Sequence, residues 1–251
     1  HPGPPLATEF WTDAVAAVPG FLLLAEAYWD LEWPLQQLGF HFTYDKRLYD
    51  RLLHGSADDV RAHLGAEPRY QNKSARFIEN HDEPRSASAF GARADVAAAV
   101  MSTLPGLRFY YDGQFDGRRV RAPVQLGIVA DEPIDACVSE RYRRLLAIAD
   151  APVFHDGEWR LCGVAGDTAR DLVAWRWRDA TAWRLVVVNL GHHAAEGRVD
   201  VSGELPRGDM LVFDDLLNDA RYEWSRANLA GGLYVRLEAG GAHILAVSVG
   251  S

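Results

Sequence analysis

The sequence predicts an α/β unit built on a parallel sheet, followed by an antiparallel all-β sandwich. Three observations carry this. Before about residue 155, short apolar runs alternate with helical stretches, the pattern of βαβ units. After it the hydrophobic period falls to two, with Gly, Asn, Asp and Pro turns at short intervals. The 251 residues, 48% of them hydrophobic, suffice for one large domain or two smaller ones. The division falls at 1–156 and 157–251, with Ala151-Pro152 through Asp156-Gly157 as the joint.

Each element has its own signal. Thr8 to Val18 is a helical stretch, and Phe21 to Ala25, entered through Pro19-Gly20, is a continuous apolar run of the length of a doubly buried strand. Phe40 to Tyr44 follows Gly39 and is aromatic and β-branched. Leu48 to Leu64 reads as a helix, and Arg76 to Asn80 as a short strand. Ser86 to Leu104 is an Ala-rich helix between a Ser start and the stop Pro105-Gly106. Leu107 to Tyr111 is a fourth strand, and Arg141 to Asp150 a last amphipathic helix. Sandwich strands are expected at 171–178, 183–190, 197–201, 210–213, 221–224, 233–237 and 243–249.

Composition excludes several classes. The 26 Lys+Arg against 35 Asp+Glu leave a net charge of −9 with no basic face, so no nucleic-acid partner is expected. The longest apolar run falls far short of the roughly 20 residues of a spanning helix, so no membrane partner is expected either. No basic region with an apolar stretch opens the chain, which begins at His1 in mid-flow. Cys137 and Cys162 form no disulfide framework and lack metal-ligand spacing, which suits a reducing compartment and a cytoplasmic location. No metal or other cofactor is expected; His192-His193 has no third ligand nearby in sequence.

In a parallel α/β unit, chemistry belongs where strands end. Phe21 to Ala25 delivers Glu26, followed by Tyr28 and Trp29; Arg76 to Asn80 delivers His81 and Asp82, followed by Arg85. Two carboxyl groups converging from different strand ends are what glycoside hydrolysis requires: one protonated as an acid, another ionised beside the developing oxocarbenium ion. A histidine can bond sugar hydroxyls, and Tyr28 and Trp29 offer stacking faces. The same residues would equally serve as caps and salt bridges at strand ends.

Two segments add to this. Leu24-Ala25-Glu26-Ala27-Tyr28-Trp29 and Phe77-Ile78-Glu79-Asn80-His81-Asp82 resemble two short motifs of the alpha-amylase family, glycoside hydrolase family 13. The resemblance implies that residues 1 to about 150 are strands five to eight of a (β/α)8 barrel, the C-terminal half of a TIM barrel, with the β-sandwich that follows it. It implies Glu26 as proton donor, Asp82 as transition-state stabiliser, and His81 and Asn80 as substrate ligands. Tyr110-Tyr111-Asp112-Gly113-Gln114 is similar to the eighth-strand segment, although Asp112 intrudes before Gly113 and Phe115 replaces a frequent acidic residue; Gln114 has a weaker claim on substrate. Arg85 would brace Asp82, reach the same subsite, or form a structural salt bridge.

A retaining glycosidase also needs a nucleophile about 5 Å from its acid. The family's nucleophile is an Asp on the fourth strand, two residues after an Arg. The Arg-x-Asp triplets here are Arg93-Ala94-Asp95, within a helix, and Arg198-Val199-Asp200, within the sandwich. Neither Glu9 nor Asp13 ends a strand. The expectation is a chain that carries the acid/base and the stabiliser but not the nucleophile, acts on alpha-linked glucans or oligosaccharides by hydrolysis or transfer, and is inactive alone. The alternative is a non-catalytic half-barrel that binds carbohydrate or assembles with another chain. Four strands would leave two open edges, inviting a complementary N-terminal half or self-association.

Overall fold

The computed structural model describes residues 9–125, 127, 130–201 and 205–250. The first part runs α1 (Phe10–Ala17), β1 (Leu24–Ala25), α2 (Glu32–Gln37), β2 (Phe42–Tyr44), α3 (Lys46–His54), α4 (Ala57–Leu64), α5 (Pro68–Asn72), β3 (Ser74–Arg76), α6 (Ser86–Ala89), α7 (Ala94–Thr103), β4 (Leu107–Arg108), α8 (Ala136–Ala149) and α9 (Val153–Asp156). The four strands form one sheet in sequence order, with Leu24 opposite Phe42, Thr43 opposite Ser74 and Ala75 opposite Leu107, every pair parallel. That is the arrangement of four successive units of a (β/α)8 barrel. Strands β1 and β4 form its two edges.

The two faces of this sheet differ. Tyr44, Phe77 and Phe109 meet on one face, with Tyr44 5.2 Å from Phe77 and 5.4 Å from Phe109 between ring centroids. Thr43 points the other way, as the period of two requires, and its Oγ1 accepts a 2.9 Å hydrogen bond from Gln36 on α2. On that helix-covered face lies a buried ionic network. Asp45 accepts from Arg76, lies 3.0 Å from His63 Nε2, and caps α3 through the Leu48 amide at 3.1 Å. Arg76 also donates to Gln71, whose Nε2 donates to the His63 carbonyl at 2.7 Å.

Several expected elements are cut differently. The helix expected over 48–64 is two helices, because Ser56 starts a new one: its hydroxyl accepts from Asp59 N and its amide donates to the Asp59 carboxylate. The helix expected over 86–104 breaks at Gly91 (φ 54°), and the last helix begins five residues early, where Asp135 caps it. The third strand is Ser74–Arg76, not 76–80, and its Arg76 is buried by pairing with Asp45 and by hydrogen bonds to Gln71 and the Pro105 carbonyl. Only Leu24 and Ala25 of the first apolar run pair as strand. Phe21 and Leu22 are 63% and 70% exposed on a sheet edge that has no neighbour among the described residues. Before β4, Gly106 turns with φ 103°, and a Cβ there would stand 2.2 Å from the Ser74 carbonyl oxygen.

The second part runs β5 (Glu158–Cys162), β6 (Val164–Ala165), β7 (Leu172–Arg178), β8 (Trp183–Asn189), β9 (Ala195–Val199), β10 (Met210–Asp215), β11 (Ala220–Ser225), β12 (Leu233–Leu237) and β13 (Ala242–Val249). A six-stranded sheet, β11-β10-β13-β8-β7-β5, and a three-stranded one, β12-β9-β6, form an antiparallel sandwich. Strands β5 and β6 were not anticipated. Strand β7 is buried on both faces, which explains its run of apolar residues. Leu172 and Ala174 join the core between the sheets; Val173, Trp175 and Trp177 join the core shared with the helices. The indole N–H groups of Trp175 and Trp177 donate to the Thr103 carbonyl at the end of α7, at 3.2 and 2.7 Å. Trp175, Trp177 and Trp183 are at most 3% exposed and have no free face for a sugar. Among the described residues, no helix is long and apolar enough to cross a membrane.

Candidate active site

The parallel strands aim their C-terminal ends at a common mouth. Glu26 follows β1 directly. His81 and Asp82 lie on the loop after β3, whose backbone turns at once: the Asn80 Oδ1 accepts the amides of Asp82 and Glu83, each at 2.9 Å. The outcome is a compact cluster. His81 Nε2 stands 3.4 Å from Glu26 Oε1 and 3.3 Å from Asp82 Oδ2, and the three contacting atoms lie within 4.8 Å of one another. These side chains are 33%, 38% and 48% exposed for His81, Glu26 and Asp82, so they face an open cleft. As donors the three could hold a divalent cation, and they are the one such group of His, Cys, Asp or Glu among the described residues.

Tyr28 joins them, its hydroxyl donating to Glu26 Oε1 at 3.3 Å. Burial first, then the Glu26 charge and hydrogen bond and the Asp82 charge, push the Tyr28 hydroxyl far above its usual value. Tyr44 is raised by burial and the same two carboxylates. Trp29 is 82% exposed and meets Tyr28 edge to face at 5.8 Å. Trp29 and Asp30 both take left-handed backbone, φ 58° and 69°, a conformation that costs non-glycine residues energy.

Three of the residues expected near substrate are buried, and Arg85 forms the structural salt bridge that was one of its alternatives. Arg85 does not brace Asp82: it is 3% exposed, donates to Glu79 Oε1 at 2.8 Å and to the Asp112 carbonyl at 2.5 Å, and its guanidinium lies 4.6 Å from the centre of the Tyr111 ring. Gln114 is 1% exposed, donating to the Tyr142 hydroxyl at 2.8 Å and accepting from the Tyr111 amide at 3.1 Å. Asn80 is 1% exposed and shapes the loop from beneath, its Nδ2 without a hydrogen-bond partner among the described residues. Of the Arg-x-Asp triplets, Asp95 pairs with Arg141 on α8 at 2.9 Å and Asp200 follows β9.

The residues that hold the site went unassigned in the sequence. Glu79, 0% exposed, grips both Arg85 and the Ser86 amide (2.6 Å), closing the loop that bears His81 and Asp82 into a fixed arc. Lys46, at the start of α3, ties the same loop through Glu83 at 3.2 Å. An acidic residue inside an otherwise apolar strand end was the available signal for Glu79, since a buried carboxylate demands a cation.

No protein-family model matches the chain, and no curated protein matches it in sequence. Solved structures do. A noncanonic maltogenic alpha-amylase from Thermotoga neapolitana superposes with a TM-score of 0.74 at 20% identity, over 94% of this chain and 57% of that one. An Anoxybacillus alpha-amylase gives 0.72 at 14% identity, over 96% and 56%, and the alpha-amylase from Geobacillus thermoleovorans 0.71 at 15%, over 95% and 56%. The chain thus spans little more than half the length of the structures it matches. Four parallel strands followed by a sandwich, covered almost end to end by these structures, give the chain the fold of the C-terminal portion of alpha-amylase family structures.

Proposed function

We propose that this chain supplies the acid/base and the transition-state stabiliser of a retaining alpha-glucan-active glycosidase or transglycosylase, and that the nucleophile comes from outside its 251 residues. The observation that carries this reading is the convergence of Glu26, His81 and Asp82 from the ends of β1 and β3. In it, Glu26 protonates the leaving glycosidic oxygen and then deprotonates the incoming water or sugar hydroxyl. Asp82 offsets charge developing at the sugar ring. His81, between the two, bonds a substrate hydroxyl, and Trp29 offers a stacking face. A complementary half-barrel would pair with the edges β1 and β4, cover the exposed Phe21 and Leu22, and deliver the nucleophile.

The test is reconstitution. The chain is mixed with a separately expressed N-terminal half-barrel whose fourth strand ends in Arg-x-Asp, and release of reducing sugar from maltooligosaccharides is followed. Turnover is expected from the mixture and not from either piece. Glu26→Gln should lower it by about 10²–10⁴-fold. Activity that survives Glu26→Gln removes the assignment of the acid. A mixture that forms but never turns over favours the second reading, a non-catalytic carbohydrate-binding half-barrel.

A further inference from the structure

A cavity of about 490 Å³ is lined in part by Asp30 and by none of the residues of the Glu26 cluster. Its lining comes from that turn (Asp30), α2 (Glu32, Trp33), the start of α3 (Arg47), the last turn of α4 (His63) and α5 (Tyr70). The rings of Trp33 and Tyr70 stand 6.3 Å apart at a 49° tilt, and Trp33 is 38% exposed. The charges are balanced locally: Arg47 pairs with Asp30 and lies 3.8 Å from Glu32 through Nε. Beneath them the wall is fixed, because His63 is tied to Asp45 and Tyr70 packs edge-on against it at 6.0 Å. Glu32 is 4% exposed and lines the cavity; burial pushes its carboxyl up against a backbone hydrogen bond at Glu32, and its 3.8 Å contact with Arg47 is too long for a direct hydrogen bond.

This is a poor site for an ion and a good one for a neutral ligand with apolar faces and many hydroxyls. Neither charge sign dominates, so a phosphate or an ammonium group gains little there. Aromatic rings meet apolar C–H faces, while a carboxylate and a guanidinium side by side can hold adjacent hydroxyls. We propose that the cavity is a second glucan-binding site, for glucosyl units remote from the Glu26–Asp82 cluster. The identity of the sugar rests on the function proposed above. Arg47 also pairs with Asp30 in the left-handed turn of Trp29 and Asp30, so the cavity wall and that turn are tied together.

The cavity lies wholly within this chain, so the chain itself is the material for the test. Binding of maltoheptaose and of maltose is measured by calorimetry on the parent and on Trp33→Ala, Trp33→Phe, Glu32→Gln and His81→Ala, with near-ultraviolet circular dichroism to check folding. Maltoheptaose should bind more tightly than maltose. Trp33→Ala should weaken it about tenfold or more, Glu32→Gln less, and Trp33→Phe, which keeps a flat face, least. His81→Ala should leave most of the binding. The proposal is overturned if the folded parent does not bind maltoheptaose, or if Trp33→Ala and Glu32→Gln bind it as the parent does. If Trp33→Ala weakens binding while Glu26→Gln leaves reconstituted turnover untouched, the cavity stands and the catalytic assignment falls.

Discussion

The first part of the chain contains two histidine–carboxylate clusters, and they are built in opposite ways. Asp45, His63 and Arg76 lie on the helix-covered face of the sheet, at most 7% exposed, with Gln71 closing the network. Glu26, His81 and Asp82 lie at the strand ends, a third to a half exposed, with contacts of 3.3 and 3.4 Å that are too long to be settled hydrogen bonds. A buried cluster must satisfy itself, so its members have no capacity left for a ligand. The open cluster holds two carboxyl groups and an imidazole together with no Lys or Arg paired to them among the described residues, and so presents acceptors to whatever enters. The same residue types are thus closed in one place and open in the other, and the difference is one of position: Asp45, His63 and Arg76 meet under the helices, whereas Glu26 follows β1 and His81 and Asp82 sit on the loop after β3.

The comparison can be broken at its widest point by exchanging the two costs. In the reconstituted enzyme Glu26→Gln should lose about 10²–10⁴-fold in turnover, while chemical denaturation of the chain should move by no more than about 0.5 kcal/mol. Arg76→Met should do the reverse, leaving Asp45 buried without its cation and destabilising the chain by about 3–5 kcal/mol in urea unfolding. A stable Arg76→Met variant would mean that the network is not the keystone described here.

Acid sharpens the same contrast. Burial pushes the Asp45 carboxyl up, but the Arg76 and His63 charges, with hydrogen bonds from His63 and the Leu48 amide, outweigh it and hold the group at about 2 against an ordinary 3.8. Because the folded value is the lower one, its contribution is present above about pH 4 and is lost as pH falls from about 4 to about 2. That amounts to about 2 kcal/mol. Urea midpoints across this range should fall for the parent and stay flatter for Asp45→Asn, measured against its own lower baseline. The smallest effect belongs to a local signal: Ser56→Ala removes the capping box of α4 and should cost about 1 kcal/mol in the same assay.

What the sequence reveals follows what local chemistry can encode. Glu26 and the pair His81–Asp82 stand out through the two segments that resemble alpha-amylase family motifs, since their spacing alone would equally suit caps and salt bridges. The sandwich is legible through its period of two. Strand β3 is legible only in part: its expected start, Arg76, is where the strand of the structure ends, because Ser74 and Ala75 carry no strand signal of their own. Arg85 and Gln114 mislead for another reason. Their partners, Glu79 and Tyr142, are brought to them by the loop after β3 and by α8, and only the folded chain reveals that both side chains are already engaged. The break at Gly55-Ser56 was visible in the residues but hidden by the apolar periodicity that runs through it.

The central claim is that Glu26 and Asp82 act on a glycosyl unit whose covalent partner lies outside this chain. Its most direct test is to incubate the reconstituted enzyme with 5-fluoro-α-glucosyl fluoride and locate the trapped glycosyl group by mass spectrometry. The label should appear on the Asp of the complementing half, with this chain unmodified. A label on Asp82 or Glu26 would make that residue the nucleophile and contradict the division of roles.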